Sequence, residues 1–294
     1  MGFIKELWSD KIYALLYEDP DLQMMFNRSL ETLVRTGGNK IHLPVLGASG
    51  EINISRTDNK SVGSGLPLTI KDIQKGDRSF EILEYSTDPF VIRNIDLVQS
   101  NPQLLQDKAE EIAQTFKEHI MTTAMTHIIN NVAAANKLQW TGGTGGSKFA
   151  FADLNKMKTK LTNSKVLTNS RYLAYQSDEE DSLIEETGLQ YWLGIQQTAI
   201  QQGRLPQLSG FGLNPTILSP KSKADGTISA TAGENVKRNA IGWRKNHMHV
   251  VVQTEFEITA SERAEYLGTV ASFTNRYGVF LERDNGAVIS TQQN

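Results

Sequence analysis

The sequence contains no cysteine, which excludes disulfide staples, thiolate nucleophiles and Cys-ligated zinc, and leaves stability to burial, hydrogen bonds or assembly. Long apolar runs are also missing. Val250, Val251 and Val252 form one of the longest aliphatic stretches, far short of the roughly 18 residues that cross a bilayer. Met1-Gly2-Phe3-Ile4-Lys5-Glu6 has no basic segment followed by an apolar one, so no secretory leader is expected and the chain reads as soluble and intracellular when made. Neither charge sign gathers into a block of about five or six. With 30 Lys and Arg against 33 Asp and Glu, the net charge is −3, which disfavours a strongly basic nucleic-acid binder and leaves only weak contact with DNA. Aromatics are dispersed rather than interleaved with arginine, so a stacking platform for single strands is not expected.

At 294 residues and 39% hydrophobic, the chain can build one large domain or two modest ones. Residues 3 to 18 place Ile4, Leu7, Trp8, Ile12, Leu15 and Leu16 at helical spacing, ending near Asp19-Pro20. A second helix is expected from Leu22 to Val34. Gly37-Gly38 then breaks the chain and the pattern changes to period two. Ile41, Leu43 and Val45, then Ile52 and Ile54, alternate with polar residues, and strand character returns at Leu68 to Ile73 and Phe80 to Tyr85. Residues 38 to 92 therefore read as a long hairpin. A lone two-stranded ribbon is marginal in water and exposes unpaired edges, so it needs a partner surface.

Pro102 suits the first turn of a helix, and Leu105, Ala109, Ile112, Ala113, Phe116, Ile120, Ala124, Ile128 and Val132 continue a stripe to about Ala135, roughly 50 Å at about 1.5 Å per residue. Gly142-Gly143-Thr144-Gly145-Gly146 follows and reads as a mobile connector. A shorter helix is expected from Asp153 to Leu161, a strand from Arg171 to Tyr175 and an acidic helix start at Ser177 to Asp181. After Leu205 the chain is strand-rich, closing with Tyr277 to Glu282 and Ala287 to Ser290 around Asp284-Asn285-Gly286, a hairpin signal.

Each chemical motif has a bland reading that competes with the sharp one. The glycine cluster lacks the order of a phosphate loop, since Gly146-Ser147-Lys148 follows a helix rather than a strand. Asp178-Glu179-Glu180-Asp181 could serve acid/base chemistry or a hard metal, but four acids also suit the positive end of a helix. His247 and His249, at i and i+2, would share one face of a strand, yet spacing offers no third metal ligand. His119 and His127 lie about two helical turns apart, too far to share an ion. No G-x-S-x-G elbow occurs, and Ser209-Gly210-Phe211-Gly212 does not supply one.

The order of elements resembles the major capsid proteins of tailed double-stranded-DNA bacteriophages, over essentially the whole chain. Phe151-Ala152-Asp153-Leu154 opens a helix. Arg171-Tyr172-Leu173-Ala174-Tyr175-Gln176 is similar to the family's strand before an apical helix. Leu208-Ser209-Gly210-Phe211-Gly212-Leu213 resembles a recurrent family element, with Gly212 and Leu213 where proline and valine are expected. Ala240 to Trp243, Val250 to Val252, Arg276-Tyr277-Gly278-Val279 and Ala287-Val288-Ile289 are similar to its closing strands.

The resemblance implies an α+β, Hong-Kong-97-type fold. It divides into an N-terminal arm (1–37), an E-loop hairpin (38–92), a peripheral domain with a spine helix (93–165), an apical domain (166–252) and a return to the peripheral domain (253–294). It further implies hexamers and pentamers closing an icosahedral shell in the virion, put together in the host cytoplasm. Arms and hairpins would lie over neighbouring subunits. No catalytic, cofactor-binding or metal-binding residue is implied, and no membrane. Portal, scaffolding or decoration proteins and packaged double-stranded DNA are the expected partners. Some members cross-link a hairpin lysine to an asparagine of a neighbour; Lys60, Lys71, Lys75 and Asn275 are the available types here, and no cross-link is expected. The competing readings are an encapsulin-like compartment shell, a metal-dependent hydrolase using residues 178–181, and a phage tail or minor capsid component.

Overall fold

A computed structural model of the chain describes residues 14–15, 20–34, 40–46, 75–93, 102–185, 207–216, 218–231, 233–253, 257–263, 265 and 268–293. The readings at Ile52 to Ile54 and Leu68 to Ile73, and all of the first helix except Ala14 and Leu15, lie outside these residues. Among the described residues the frame consists of one long helix and two larger sheets, beside a two-stranded ribbon. Helix α3 (Pro102–Asn131) follows α1 (Pro20–Met25) and α2 (Glu31–Val34) and precedes α4 (Phe151–Asn163) and α5 (Asp178–Glu185).

One sheet is organised on a single 14-residue strand, β12 (Gly268–Leu281). Along one edge it pairs antiparallel with β10 (Met248–Val252) and then β11 (Glu257–Arg263). Along the other edge it pairs with β3 (Leu83–Ser86) and β4 (Phe90–Arg93). Period-two alternation divides its faces. Phe273, Tyr277, Val279 and Leu281 enter the large core with the helix residues Phe116, Ile120, Ala124 and Ile128, while Phe280 joins a smaller cluster on the opposite face with Ile41, Phe80 and Ile82.

The second sheet has the order β5-β13-β9-β6-β8-β7: β5 (Lys137–Gln139), β6 (Arg171–Tyr175), β7 (Gln207–Leu208), β8 (Phe211–Pro215), β9 (Asn239–Arg244) and β13 (Ala287–Thr291). Both its faces are covered. Ala174, Ile241, Trp243, Ala287 and Ile289 face the core built on α3, whereas Leu173, Tyr175, Ala240 and Val288 pack with Leu154, Met157 and Leu161 of α4. Ser209 and Gly210 turn β7 into β8, both in the left-handed region (φ 51° and 82°), so the Ser-Gly pair of the family-like element is a two-residue hairpin of the type whose twist suits paired strands.

Four expectations change. The spine ends at Asn131 rather than Ala135, because the Ala133 N–H leaves the helix to donate to the Asp284 carbonyl at 2.9 Å. The segment Leu22 to Val34 is two short helices with a break between them, where Asn27 exchanges backbone hydrogen bonds with Met248 and Val250 of β10. The strand reading from Phe80 to Tyr85 divides: β1 (Lys40–Leu46) pairs with β2 (Lys75–Glu81), whereas β3 belongs to β12. The terminal strands form no hairpin. β12 and β13 lie in different sheets, and Asp284–Gly286 is a 3-10 turn in which neither Asn285 nor Gly286 has positive φ. Glycine is required there for space, since a Cβ at Gly286 would lie 2.8 Å from that of His247.

The glycine-rich loop folds as a closed turn. Its Gly143, Gly145 and Gly146 have positive φ, and the Lys148 N–H returns to the Gly142 carbonyl at 3.1 Å. Asp153, buried in the first turn of α4, fastens its start by accepting from the Thr141 amide (2.9 Å) and hydroxyl (2.6 Å) and from the Ala150 N–H (3.3 Å).

Candidate functional site

The hairpin is the element that most needs explaining, since only its root meets the body of its own chain among the described residues. That root sits on β12. Phe80 stacks on Phe280 with ring centroids 5.1 Å apart, and Ile41 and Ile82 complete a small apolar cluster with Val251. Gly278 allows the close approach: a Cβ there would stand 2.9 Å from the Glu81 carbonyl oxygen and 3.2 Å from the Phe80 ring. The clash is with backbone, which cannot swing aside. Gly278→Val is therefore expected to displace the hairpin root while leaving the α4 side of the molecule folded. Loss of hydrogen-exchange protection confined to residues 40–46 and 75–81 would report it; unchanged protection there would refute the seating.

Beside this root lies a cleft of about 600 Å³ between β2, β12 and the last turns of α3. Phe80, Leu83, Tyr85 and Tyr277 line it, with Glu81 and Asp284 among its polar groups. Tyr85 stacks on Tyr277 at 4.2 Å and meets the His119 ring edge-on, and the His119 Nδ1 is hydrogen-bonded to the Tyr277 hydroxyl. Burial raises the Tyr277 pKa, so this phenol stays protonated and serves as a hydrogen-bonding member of the wall.

The N-terminal segment 20–34 is anchored where the two sheets meet. Phe26 stacks on Trp243 at 5.6 Å, and the Trp243 indole N–H donates to the Met25 carbonyl at 3.0 Å. Glu31 is buried; it accepts from Arg28 at 2.6 Å and from the Val252 N–H at 3.3 Å. Lys245 donates to the Gln23 carbonyl at 2.6 Å, and Lys117 of α3 pairs with Asp21 at 2.9 Å.

The acidic quartet occupies the first turn of α5, but its members are not convergent. Glu179 is buried, accepts the Phe149 N–H at 3.0 Å and pairs with Arg238 at 2.5 Å, while Asp178 stays 3.8 Å from that guanidinium and largely exposed. This carboxylate closes a loop onto a helix, one oxygen taking the Phe149 N–H and the other facing the Arg238 guanidinium. Among the described residues no three His, Asp or Glu side chains converge as a metal site.

The histidine pair does not share a strand face. His247 ends a 3-10 turn and lies 3.1 Å from Glu282, whereas His249 is in β10 against Phe280. Burial lowers the His249 pKa below the ordinary 6.5; nearby Glu282 opposes that shift and His247 adds to it. Burial also lowers that of His127. A folded pKa below the unfolded one means that the unfolded chain binds more protons as the solution becomes acidic. Stability from these groups is thus present above about pH 6.5 and falls below it. His249→Gln is expected to flatten the decline of the unfolding midpoint between about pH 6.5 and pH 5; an identical slope would refute a neutral buried His249.

Of the cross-link types, Lys60 and Lys71 lie outside the described residues and Lys75 opens β2. Asn275 is in the middle of β12 with 0% exposure. Among the described residues no helix is long and apolar enough to cross a membrane. The cleft and the hairpin seat escaped sequence reasoning because their walls come from residues 79–85, 123–131 and 277–284, with only Gly278 inside a strand pattern hinting at close approach.

No family model matches the sequence, and no curated protein matches it. Solved structures do match. A structure from Mycobacterium phage Che8 is 16% identical, with a TM-score of 0.64 over 90% of this chain and 89% of that one. The capsid of Ralstonia phage GP4 is 9% identical, with a TM-score of 0.63 over 92% and 90%. A virus-like particle from Pyrococcus furiosus is 9% identical, with a TM-score of 0.54 over 99% and 98%. The likeness runs through nearly the full length of each chain.

Proposed function

We propose that this chain, whose architecture is the Hong-Kong-97-type capsid fold, is the major capsid protein of a tailed bacteriophage, a structural subunit that assembles with copies of itself into a closed icosahedral shell. The observation that carries the reading is fold similarity over about nine-tenths of both chains to the capsid of Ralstonia phage GP4. The β1–β2 hairpin supports it: among the described residues its apolar seat lies at its root, and a two-stranded ribbon leaves strand edges for a neighbouring subunit to cover. Function then resides in packing, and the chain carries no catalytic, cofactor or metal residues.

Within this reading the divisions fall at an arm (1–37), an E-loop (38–92), a peripheral domain (93–165), an apical domain (166–252) and a peripheral return (253–294). Hexamers and pentamers are the building blocks, the virion is the final location, and assembly takes place in the host cytoplasm. Portal, scaffolding or decoration proteins and weakly held double-stranded DNA are the partners. No covalent cross-link forms, in keeping with the burial of Asn275.

The test is negative-stain electron microscopy with light scattering of the protein produced alone and with its genetic neighbours. Uniform closed shells or capsomer rings are expected; a compact monomer under every condition would overturn the reading. The likeness to the Pyrococcus furiosus particle keeps a compartment shell as the second reading, and shell contents separate the two: double-stranded DNA for the capsid, an enzyme cargo for the compartment. For the hydrolase reading, Asp178→Ala and Asp181→Ala would have to abolish an activity with the fold intact.

A further inference from the structure

Charge is unevenly distributed in this chain. Residues 154–177 hold Lys156, Lys158, Lys160, Lys165 and Arg171 without one carboxylate, while the remaining sequence has 25 Lys and Arg against 33 Asp and Glu, a net −8. The fold concentrates this contrast. Among the described residues Lys156 pairs with Asp153, but Lys158, Lys160, Lys165, Arg171, Arg244 and Lys245 make no ion pair. They surround the turn after α4, where Arg244 raises the positive potential felt by Arg171 and bonds Asn169 at 3.4 Å.

The turn is rigid and carries an apolar tip. Lys165 and Ser170 are held at φ 57° and 56°, and the Arg171 guanidinium binds the carbonyls of Val166 (2.6 Å) and Leu167 (3.0 Å) from beneath. Leu167 projects with 61% of its surface exposed, the most exposed large hydrophobic residue described. The cleft beside the hairpin root has the opposite character. Among the described residues its lining includes Glu81 and Asp284 and no lysine or arginine, around Phe80, Leu83 and the ring of Tyr277. Both surfaces flank the segment 245–247: the Lys245 N–H donates to the Ser170 carbonyl at 3.0 Å, and the His247 carbonyl accepts the Glu282 N–H at 2.8 Å.

We infer that two copies of the chain meet through these surfaces: the basic turn of one copy docks on the acidic cleft of another, with Leu167 entering the cleft and Lys158 and Lys165 facing Glu81 and Asp284. The contact rests on the capsid reading and names a surface through which subunits join. A nucleic-acid phosphate backbone is the alternative occupant of the turn. It has no use for a protruding leucine, whereas a cleft with apolar walls and an acidic rim matches both features.

The test uses full-length protein and four exposed-site variants: Lys158→Glu with Lys165→Glu, Glu81→Lys with Asp284→Lys, all four changes together, and Leu167→Asp. Unfolding midpoints are measured in parallel and assembly is compared among variants that melt with the wild type; the Glu81 side chain is 67% exposed and pairs with Lys40 at 3.9 Å. Each charge-reversed pair and Leu167→Asp should raise the protein concentration needed for shells at least about tenfold, and the four-fold variant should recover most of that loss. Swapped variants that assemble like the wild type, or a four-fold variant no better than its parents, overturn the contact alone. A wild type that never assembles overturns the capsid reading and this contact with it. If Lys158→Glu with Lys165→Glu assembles normally but loses retention on double-stranded DNA, the turn is a phosphate-contacting face and the inference fails.

Discussion

Trp243→Ala should lower the unfolding free energy by about 3–5 kcal/mol, the usual cost of emptying a fully buried aromatic site. Trp243 is 0% exposed, and its ring joins three parts of the molecule. It stacks on Phe26, lies 6.5 Å from the Tyr172 ring, and donates its N–H to the Met25 carbonyl at 3.0 Å. For a domain of this size the melting midpoint should fall on the order of 10 °C. The loss has a local signature as well, because residues 20–34 are anchored through this ring. Trypsin should gain access to Arg28, whose side chain is now only 12% exposed. Trp243→Phe keeps the ring contacts and strands one carbonyl, so about 1–2 kcal/mol is expected from it. A Trp243→Ala protein that melts within a degree of the wild type and keeps Arg28 protected would show that the N-terminal segment is held elsewhere.

Arg171→Met should cost about 3 kcal/mol, although among the described residues the guanidinium has no carboxylate partner to lose. The side chain is 2% exposed and reaches four oxygens: the carbonyls of Lys158, Val166 and Leu167 and the Thr162 hydroxyl. It closes the C-terminal end of α4, where exposed carbonyls concentrate negative partial charge that a cation offsets. Methionine fills a similar volume and strands those acceptors. Arg171→Lys should recover little, since one ammonium cannot span acceptors on both the helix and the turn. A shifted urea midpoint with an unchanged slope is the expected measurement. A midpoint within experimental error of wild type would mean that the turn closes without its cation.

The elements that could be read from sequence are those whose cause is local. Pro102 and the stripe from Ile112 to Ile128 specify the spine helix, and Arg171 to Tyr175 reads as a strand because it lies between a helix and an acidic helix start. The hairpin was legible in its paired alternations, Ile41 with Phe80 sharing one face. Pairing partners were not. Alternation around Leu83 to Tyr85 reports a strand without saying whether its neighbour is 40 or 190 residues away, and β12 wins because it covers the outer edge of β3 and β4 at once. Asn285-Gly286 misled for a related reason: the dipeptide is a turn signal whenever left-handed conformations are used, but here the glycine serves the approach of His247. The break at Asn27 follows from backbone bonding to β10, a contact more than 200 residues distant that no local pattern encodes. Glu179 likewise looks like any helix-start acid until Phe149 and Arg238 close around it.

The unbroken length of β12 has a bearing on how accurately copies can be made alike. Fourteen residues at about 3.4 Å each give a ruler of some 45 Å with no joint in it. The hairpin root is indexed at Gly278 and Phe280, β4 at Gly268 to Ala271, and the spine contacts at Phe273, Tyr277 and Leu281. A one-residue slip anywhere along the strand would exchange its two faces, burying Thr274 and Arg276 against the spine and turning Phe273 and Tyr277 outward, so mismeasured subunits fail to fold rather than fold slightly wrong. In the shell proposed above, an error of dimension shared by the subunits would be repeated at every position and accumulate around the circumference. Gauging all these attachments from one strand makes each subunit either true to length or absent from the pool.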